Sequence, residues 1–90
     1  MSEPATLLSP PRNYAVVQLP GRRFPGVVFQ GDSLHSLLVK IEGIQRLAKG
    51  YKDEDLDIEL LEVQELLSDV VSHYELVCET AGRSLPYEKL

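Results

Sequence analysis

Two adjacent arginines followed by a phenylalanine, Arg22-Arg23-Phe24, form the segment of this chain best suited to contact another molecule. Guanidinium groups form paired hydrogen bonds with carboxylates and other anions, and an aromatic ring adds apolar contact area. Pro20-Gly21 and Pro25-Gly26 flank the segment, and two such pairs predict type II turns from which the arginines project. The same arginines can equally be solvated, or pair with the chain's own acidic residues.

A second candidate contact surface is acidic. The net charge of −5 is unevenly distributed, because the stretch from Asp53 to Gly82 contains ten acidic residues and no Lys or Arg. The positions that we expect to face a basic protein partner are Asp57, Glu62, Glu65 and Asp69. Their charge would repel phosphate, so nucleic acid is not an expected partner. A helix face that contacts only solvent is the alternative interpretation.

No residue pattern indicates catalysis, a metal site or a cofactor. His35 and His73 have no neighbours at metal-ligand spacing, which predicts surface histidines. Cys78 is the single cysteine, which excludes a disulfide within the chain and predicts a small buried apolar residue. Gly31-Asp32-Ser33 suits helix capping better than phosphate binding, because Asp32 would repel the anion. We therefore expect a protein that is not an enzyme and binds no cofactor or metal.

Two strands and two helices are predicted to position these residues. The β-favouring runs Asn13 to Leu19 and Val27 to Gln30 predict a β-hairpin. Apolar residues at three- and four-residue spacing predict a first helix over residues 33–49, and a heptad pattern predicts a longer one that ends at Gly82. Its apolar heptad positions are Leu56, Leu60, Val63, Leu67, Val70, Tyr74, Val77 and Ala81. The fold class is therefore α+β, a β-hairpin followed by an antiparallel helical hairpin (ββαα) whose second helix is long.

The chain is expected to form one domain over residues 12–82, with a flexible N-terminal tail over 1–11 and a C-terminal tail over 83–90. The N-terminal residues lack the basic start and apolar run of a signal peptide, and no apolar run is long enough to span a membrane, so we expect a cytoplasmic protein without a membrane partner. Two strands and two helices make a thin core, which favours a homodimer through the heptad helix. Packing of this helix under the sheet is the alternative.

The run from Tyr14 to Leu37, with its strand, Pro-Gly turn and Gln30-Gly31-Asp32-Ser33, resembles the central stretch of HicB-type antitoxins. It departs from that family in its second Pro-Gly pair, its Arg-Arg and its long acidic helix. The chain is also too short for that family's full sheet plus a DNA-binding segment, so the resemblance does not imply operator binding. The whole chain, with LPGRRFPGVVFQGDSL at its centre, also resembles a family of small bacterial proteins without an assigned activity.

In size and acidity the chain is similar to bacterial immunity proteins, which bind and block a cognate toxin. The sequence thus favours a small non-catalytic inhibitor, of immunity or antitoxin type, that neutralises a partner protein. Its expected contacts are Arg22, Arg23 and Phe24, together with the acidic helix face. Two alternatives remain open: an accessory protein that binds a small anion through Arg22 and Arg23, and a homodimeric accessory subunit.

Overall fold

The computed structural model describes residues 4–10 and 12–89. Three strands precede two helices: β1 (Thr6–Leu7), β2 (Tyr14–Gln18), β3 (Gly26–Phe29), α1 (Gly31–Ala48) and α2 (Glu54–Thr80). The chain divides into two compact units, the sheet up to Gln30 and the helices from Gly31 onward. The predicted α+β class, with a long second helix in a helical hairpin, is confirmed, and the sheet has one strand more than predicted.

The sheet is antiparallel, and β2 lies at its centre. Val17, one of the few buried apolar residues in the described ranges, is paired with Leu7 on one side and Gly26 on the other. Thr6–Leu7 falls within the segment predicted to be a flexible tail, and it is ordered because it pairs with β2. The backbone N–H of Val16 then donates to the Ser9 hydroxyl, so a side chain continues the pairing where β1 ends. Residues 1–3 and 11 of the predicted tail lie outside the described residues.

Only one of the two predicted type II turns forms. Gly21 has φ +74°, and the Arg22 N–H donates to the Leu19 carbonyl at 3.3 Å, as a type II turn with Pro20 at its second position requires. The turn predicted at Pro25-Gly26 is wrong, because Gly26 is the first residue of β3. Pro25 lacks an N–H and is tolerated there because it immediately precedes an edge strand.

Helix α1 begins at Gly31, two residues before the predicted start, so Asp32 and Ser33, which were predicted to cap it, lie within its first turn. Gly31 is buried, and the ring of Tyr74 lies where a Cβ at residue 31 would be. The Asp32 carboxylate accepts from the Ser33 N–H at 2.9 Å within the first helical turn. The helix ends at Ala48, and a 3₁₀ turn, Lys49–Tyr51, leads into the connection. Gly31 is thus required for packing between the helices.

Both ends of α2 agree with the sequence signals. Asp53 caps the N-terminus by accepting from the Leu56 N–H at 3.1 Å. At the other end Gly82 has φ +70°, its N–H donates to the Glu79 carbonyl, and the Arg83 N–H donates to the Cys78 carbonyl. These two hydrogen bonds form a Schellman motif, which confirms the prediction that α2 ends at Gly82. Within residues 4–10 and 12–89, no helix is long and apolar enough to cross a membrane.

The two helices pack antiparallel, since Arg46 and Lys49 near the end of α1 share a groove with Asp57 and Leu60 near the start of α2. Each helix covers one row of side chains against the other. In α1 the covered or half-covered row comprises Leu34, Leu38, Ile41, Gln45 and Ala48, and in α2 it comprises Leu60, Gln64, Leu67, Val71, Tyr74 and Cys78. Of the apolar heptad positions, Leu60, Leu67 and Tyr74 lie in the covered row. The other apolar heptad positions, Leu56, Val63, Val70, Val77 and Ala81, are exposed.

The contact between Gly31 and Tyr74 predicts opposite effects for two glycine substitutions in the same helix. Gly31→Ala should lower the free energy of unfolding by about 1–3 kcal/mol, because its Cβ overlaps the Tyr74 ring and one helix must shift. Gly43→Ala should leave stability unchanged or raise it by up to about 1 kcal/mol, because its Cβ meets only the Arg46 side chain at ordinary contact distance. Urea denaturation measures both values. A Tyr74→Leu change should reduce the penalty of Gly31→Ala, and an additive double mutant would contradict the contact.

Candidate functional site

The loop after the type II turn has an ordered backbone and exposed side chains. The Gln18 side-chain amide donates to the Leu19 carbonyl at 3.3 Å and to the Arg22 carbonyl at 2.7 Å, which holds the loop to the end of β2. The Arg23 guanidinium carbon lies 5.2 Å from the centroid of the Phe24 ring, within cation–π range. Phe24 remains 71% exposed. The loop therefore presents an aromatic ring and a cation that are held together but face solvent.

The strand that follows this loop adds an apolar edge that the sequence analysis did not include in the site. β3 is an edge strand, and Val27, Val28 and Phe29 are each 49–56% exposed. The Phe29 ring lies 6.1 Å from that of Tyr14, its partner on β2. This exposure depends on β3 lying at the edge of the sheet, which the run of apolar residues alone does not indicate. We call residues 22–24 and β3 together the loop–strand surface.

Helical geometry separates the four acidic residues predicted at a partner interface. Glu62, Glu65 and Asp69 are exposed and spaced by three and four residues, so they form one face of α2, which we call the acidic ridge. Asp57 instead lines a groove of about 550 Å³ between the helices, opposite Arg46 and Lys49. Asp57 therefore belongs to this groove and does not extend the ridge. The loop–strand surface belongs to the first compact unit and the acidic ridge to the second.

The C-terminal segment contains an aromatic contact that the sequence did not indicate. Tyr87, from the predicted tail, stacks on His35 of α1 with ring centroids 3.6 Å apart and planes inclined by 12°. His35 is therefore half-buried by this ring and is not the free surface histidine that was predicted. The Tyr87 hydroxyl is buried, and no hydrogen-bond partner of ordinary geometry lies among the described residues. Burial, and after it the Glu75 carboxylate, raises the pKa of Tyr87 to about 12.

Tyr74, one helical turn before Cys78, is the other perturbed tyrosine. Burial first, then the Cys78 side chain and the charge of Asp32, raise the pKa of Tyr74. Cys78 is half-buried beside it as a free thiol. In the part of the chain that the structure describes, no three His, Cys, Asp or Glu side chains are grouped to hold a metal ion. Tyr74 and Tyr87 pack against α1, through Gly31 and His35 respectively.

Comparison with known proteins places the chain in a family. A model of a family of unknown function, DUF6959, matches residues 1–87. The chain belongs to this family. The matched residues include all three strands and Tyr87. The match agrees with the resemblance to a family without an assigned activity. It gives no support to the resemblance to HicB-type antitoxins. No curated protein and no solved structure matches the chain.

The stacked pair predicts that the ring of Tyr87 stabilises the protein and its hydroxyl does not. Tyr87→Ala should lower the free energy of unfolding by about 1–3 kcal/mol, because it removes the ring that covers His35. Tyr87→Phe keeps the ring and removes a buried hydroxyl without a partner, so it should be neutral or slightly stabilising. Urea denaturation at neutral pH compares the two variants. Equal losses in both would show that the hydroxyl has a bonding partner.

The raised pKa of Tyr87 predicts a loss of stability at alkaline pH. The folded state holds the phenolic proton more tightly than the unfolded state, so the contribution is complete below pH 10 and is lost as pH rises toward about 12. Tyr87→Phe lacks this proton, and its unfolding free energy should fall less over the same interval. Parallel denaturation curves at a series of pH values measure the difference. A constant difference across the interval would contradict the assignment.

Proposed function

We propose that this chain is a small non-catalytic inhibitor, of immunity or antitoxin type, that binds a protein partner through the loop–strand surface. The observation that carries the proposal is the exposure of Phe24, which keeps most of its surface in solvent with the Arg23 guanidinium over its ring. Aromatic and Arg side chains contribute most of the binding energy at protein interfaces. An exposed pair of this kind on an ordered loop is suited to bind a pocket of a partner.

The edge strand supports a protein as the partner. An edge strand exposes unpaired backbone N–H and C=O groups, and an extended segment of another protein can pair with them. β3 follows the loop directly and exposes apolar side chains on both faces of the sheet. A partner that contacts Phe24 can thus continue along β3 by backbone pairing and apolar contact.

The position of Arg23 favours a protein partner over the small-anion alternative. A small-anion site needs several donors that converge on one point. The Arg23 guanidinium instead lies over the Phe24 ring, and the Arg22 carbonyl is bonded to Gln18. In this arrangement the cation orients an aromatic contact.

The acidic ridge suits a second role, which is to guide a basic partner during its approach. Three exposed carboxylates on one helix face create a negative potential that raises the rate of encounter with a positive surface. Charges at the rim of an interface affect the association rate and its salt dependence more than the dissociation rate. The loop–strand surface would then set the lifetime of the complex, and the ridge its rate of formation.

Substitutions in the loop test the proposed contact. Tagged protein carrying Arg23→Ala and Phe24→Ala should lose at least about tenfold in affinity for a partner recovered from the native host, because two side chains of hot-spot type are removed. The matched control, Arg12→Ala with Tyr51→Ala, also removes one exposed cation and one exposed aromatic side chain and should bind normally. Co-purification with quantitative mass spectrometry identifies the partner, and titration calorimetry measures its affinity. Equal loss in both variants, or recovery of this chain alone, would contradict the proposal.

Inhibition is tested on the same complex. Addition of the chain should suppress the activity of the purified partner in proportion to the complex formed, and the Arg23→Ala, Phe24→Ala variant should require a correspondingly higher concentration. A partner that binds but keeps its full activity would make this chain an accessory subunit instead.

Charge reversal on the ridge tests the guiding role. Glu65→Lys with Asp69→Lys should slow association severalfold at low salt, with little change in the dissociation rate. Glu79→Lys with Glu88→Lys changes the net charge equally but lies off the ridge, so it should slow association less. Stopped-flow or surface-plasmon measurements at several salt concentrations give both rates. If the two pairs behave alike, only net charge matters and the ridge has no specific role.

A further inference from the structure

Each helix carries a second apolar row that the helical hairpin leaves exposed. In both helices this row follows the covered row by three residues, so that Leu37 and Ile44 follow Leu34 and Ile41 in α1. In α2 the same spacing relates Val63, Val70 and Val77 to Leu60, Leu67 and Tyr74. Leu47 lies at the outer margin of the row on α1, and Leu66 at the outer margin of the row on α2. Leu56 belongs to the row on α2 and lies seven residues before Val63.

The two exposed rows lie on the same side of the hairpin. An offset of three residues turns a side chain by about 60° around the axis from the covered row, in the same sense in both helices. Because α1 and α2 run antiparallel, equal offsets along the two chains turn both rows toward one side, as equivalent flanking positions do in antiparallel coiled coils. These eight side chains form a continuous surface, which we call the apolar face: Leu37, Ile44, Leu47, Leu56, Val63, Leu66, Val70 and Val77.

The apolar face is large enough for a stable interface. Its residues are 39–74% exposed. Together they expose roughly 800 Å², about the area that each partner contributes to an interface of standard size. Among the described residues only Val17, Ala48 and Val71 are buried apolar residues, and the last two belong to the hairpin. Burial of the face would therefore add substantially to a thin core.

We propose that the apolar face binds the same face of a second copy of this chain, so that two helical hairpins form a four-helix bundle with twofold symmetry. Heptad-spaced apolar rows pack against helices, and a second copy presents two antiparallel helices with matching rows. A twofold interface uses the same patch on both subunits, as a self-complementary face allows. The face carries one cation, Lys40, and one anion, Glu59, and is therefore neutral although the chain has a net charge of −5. Two copies therefore do not repel each other where they meet.

This interface is independent of the proposed inhibitor function, because its residues belong to the helices of the second unit and none of them is a member of the loop–strand surface or the acidic ridge. With this interface, the two sets of apolar heptad positions in α2 make different contacts. Leu60, Leu67 and Tyr74 hold the hairpin together, and Val63, Val70 and Val77 join two hairpins.

Charge placed on the face, with a matched pair placed elsewhere, tests the proposal. Sedimentation velocity and light scattering of the full chain should show a dimer of twice 10.1 kDa over a wide range of concentration. Leu47→Glu with Leu66→Glu puts four carboxylates into the twofold interface and should weaken the dimer at least about a hundredfold, giving a monomer. Ile58→Glu with Leu76→Glu replaces two similarly exposed apolar residues on the side of the acidic ridge, and the dimer should persist. Circular dichroism checks that both variants keep their helices.

Three outcomes would overturn the inference. A wild-type chain that remains a 10.1 kDa monomer at all concentrations excludes the second copy as the occupant. If that monomer is also destabilised by Leu47→Glu with Leu66→Glu, another part of the same chain covers the face. A dimer that survives this pair, or that the ridge-side pair disrupts equally, is formed through a different surface. If the face variant fails to fold, Leu47→Ser with Leu66→Ser gives the same test with a smaller perturbation.

Discussion

The contact of the Tyr74 ring with Gly31 fixes how far α1 lies along α2, and much of the second unit depends on that register. The contact brings the first residue of α1 to a defined level of α2, where a side chain at position 31 would not fit. A helix that is fixed at one end presents a defined row to its neighbour. Leu34, Leu38 and Ile41 are then covered, and the neighbouring row of α1 is exposed. The choice of buried and exposed rows therefore follows from one close approach between a ring and a backbone.

A chain of this length carries more apolar side chains than its own elements can cover. A two-helix hairpin buries one row per helix, and a sheet of three short strands has two faces and two edges. The remaining apolar residues lie in contiguous groups, on β3 and along the helices, and contiguous apolar surface of this kind marks interaction sites in soluble proteins. Small domains have little stability to spare. Both proposed interfaces would cover apolar surface that the described elements leave exposed.

The sequence predicted what depends on local chemistry. Gly82 ends α2 because a helix C-terminus needs only one residue that can adopt the left-handed conformation, and Pro20-Gly21 likewise forms its turn through local backbone preferences. The second Pro-Gly pair failed because pairing with Val17 decides the conformation of Gly26, and that partner lies nine residues away. Strand β1, the His35–Tyr87 stack and the division of the heptad into two rows likewise depend on contacts between distant segments. Periodicity alone cannot distinguish a residue that packs within the hairpin from its neighbour at the same spacing.

Within the proposed site, the loop residues could be selected from the sequence, because two arginines and a phenylalanine stand between two Pro-Gly pairs. The exposure of β3 was not, because it depends on the strand being at the edge of the sheet. The acidic residues were correctly placed on one helix, but only three of the four share a face, since Asp57 lines the groove between the helices.

The two hydrogen bonds of the Gln18 side chain have a consequence for binding thermodynamics. They restrict the backbone of the loop before any partner arrives, and ordering one residue costs about 1–2 kcal/mol of conformational entropy at room temperature. That cost is met during folding, when the amide of Gln18 replaces two water molecules at the Leu19 and Arg22 carbonyls. In the proposed complex the loop would then be ordered at a smaller entropic penalty, and Gln18 would contribute to affinity through the loop.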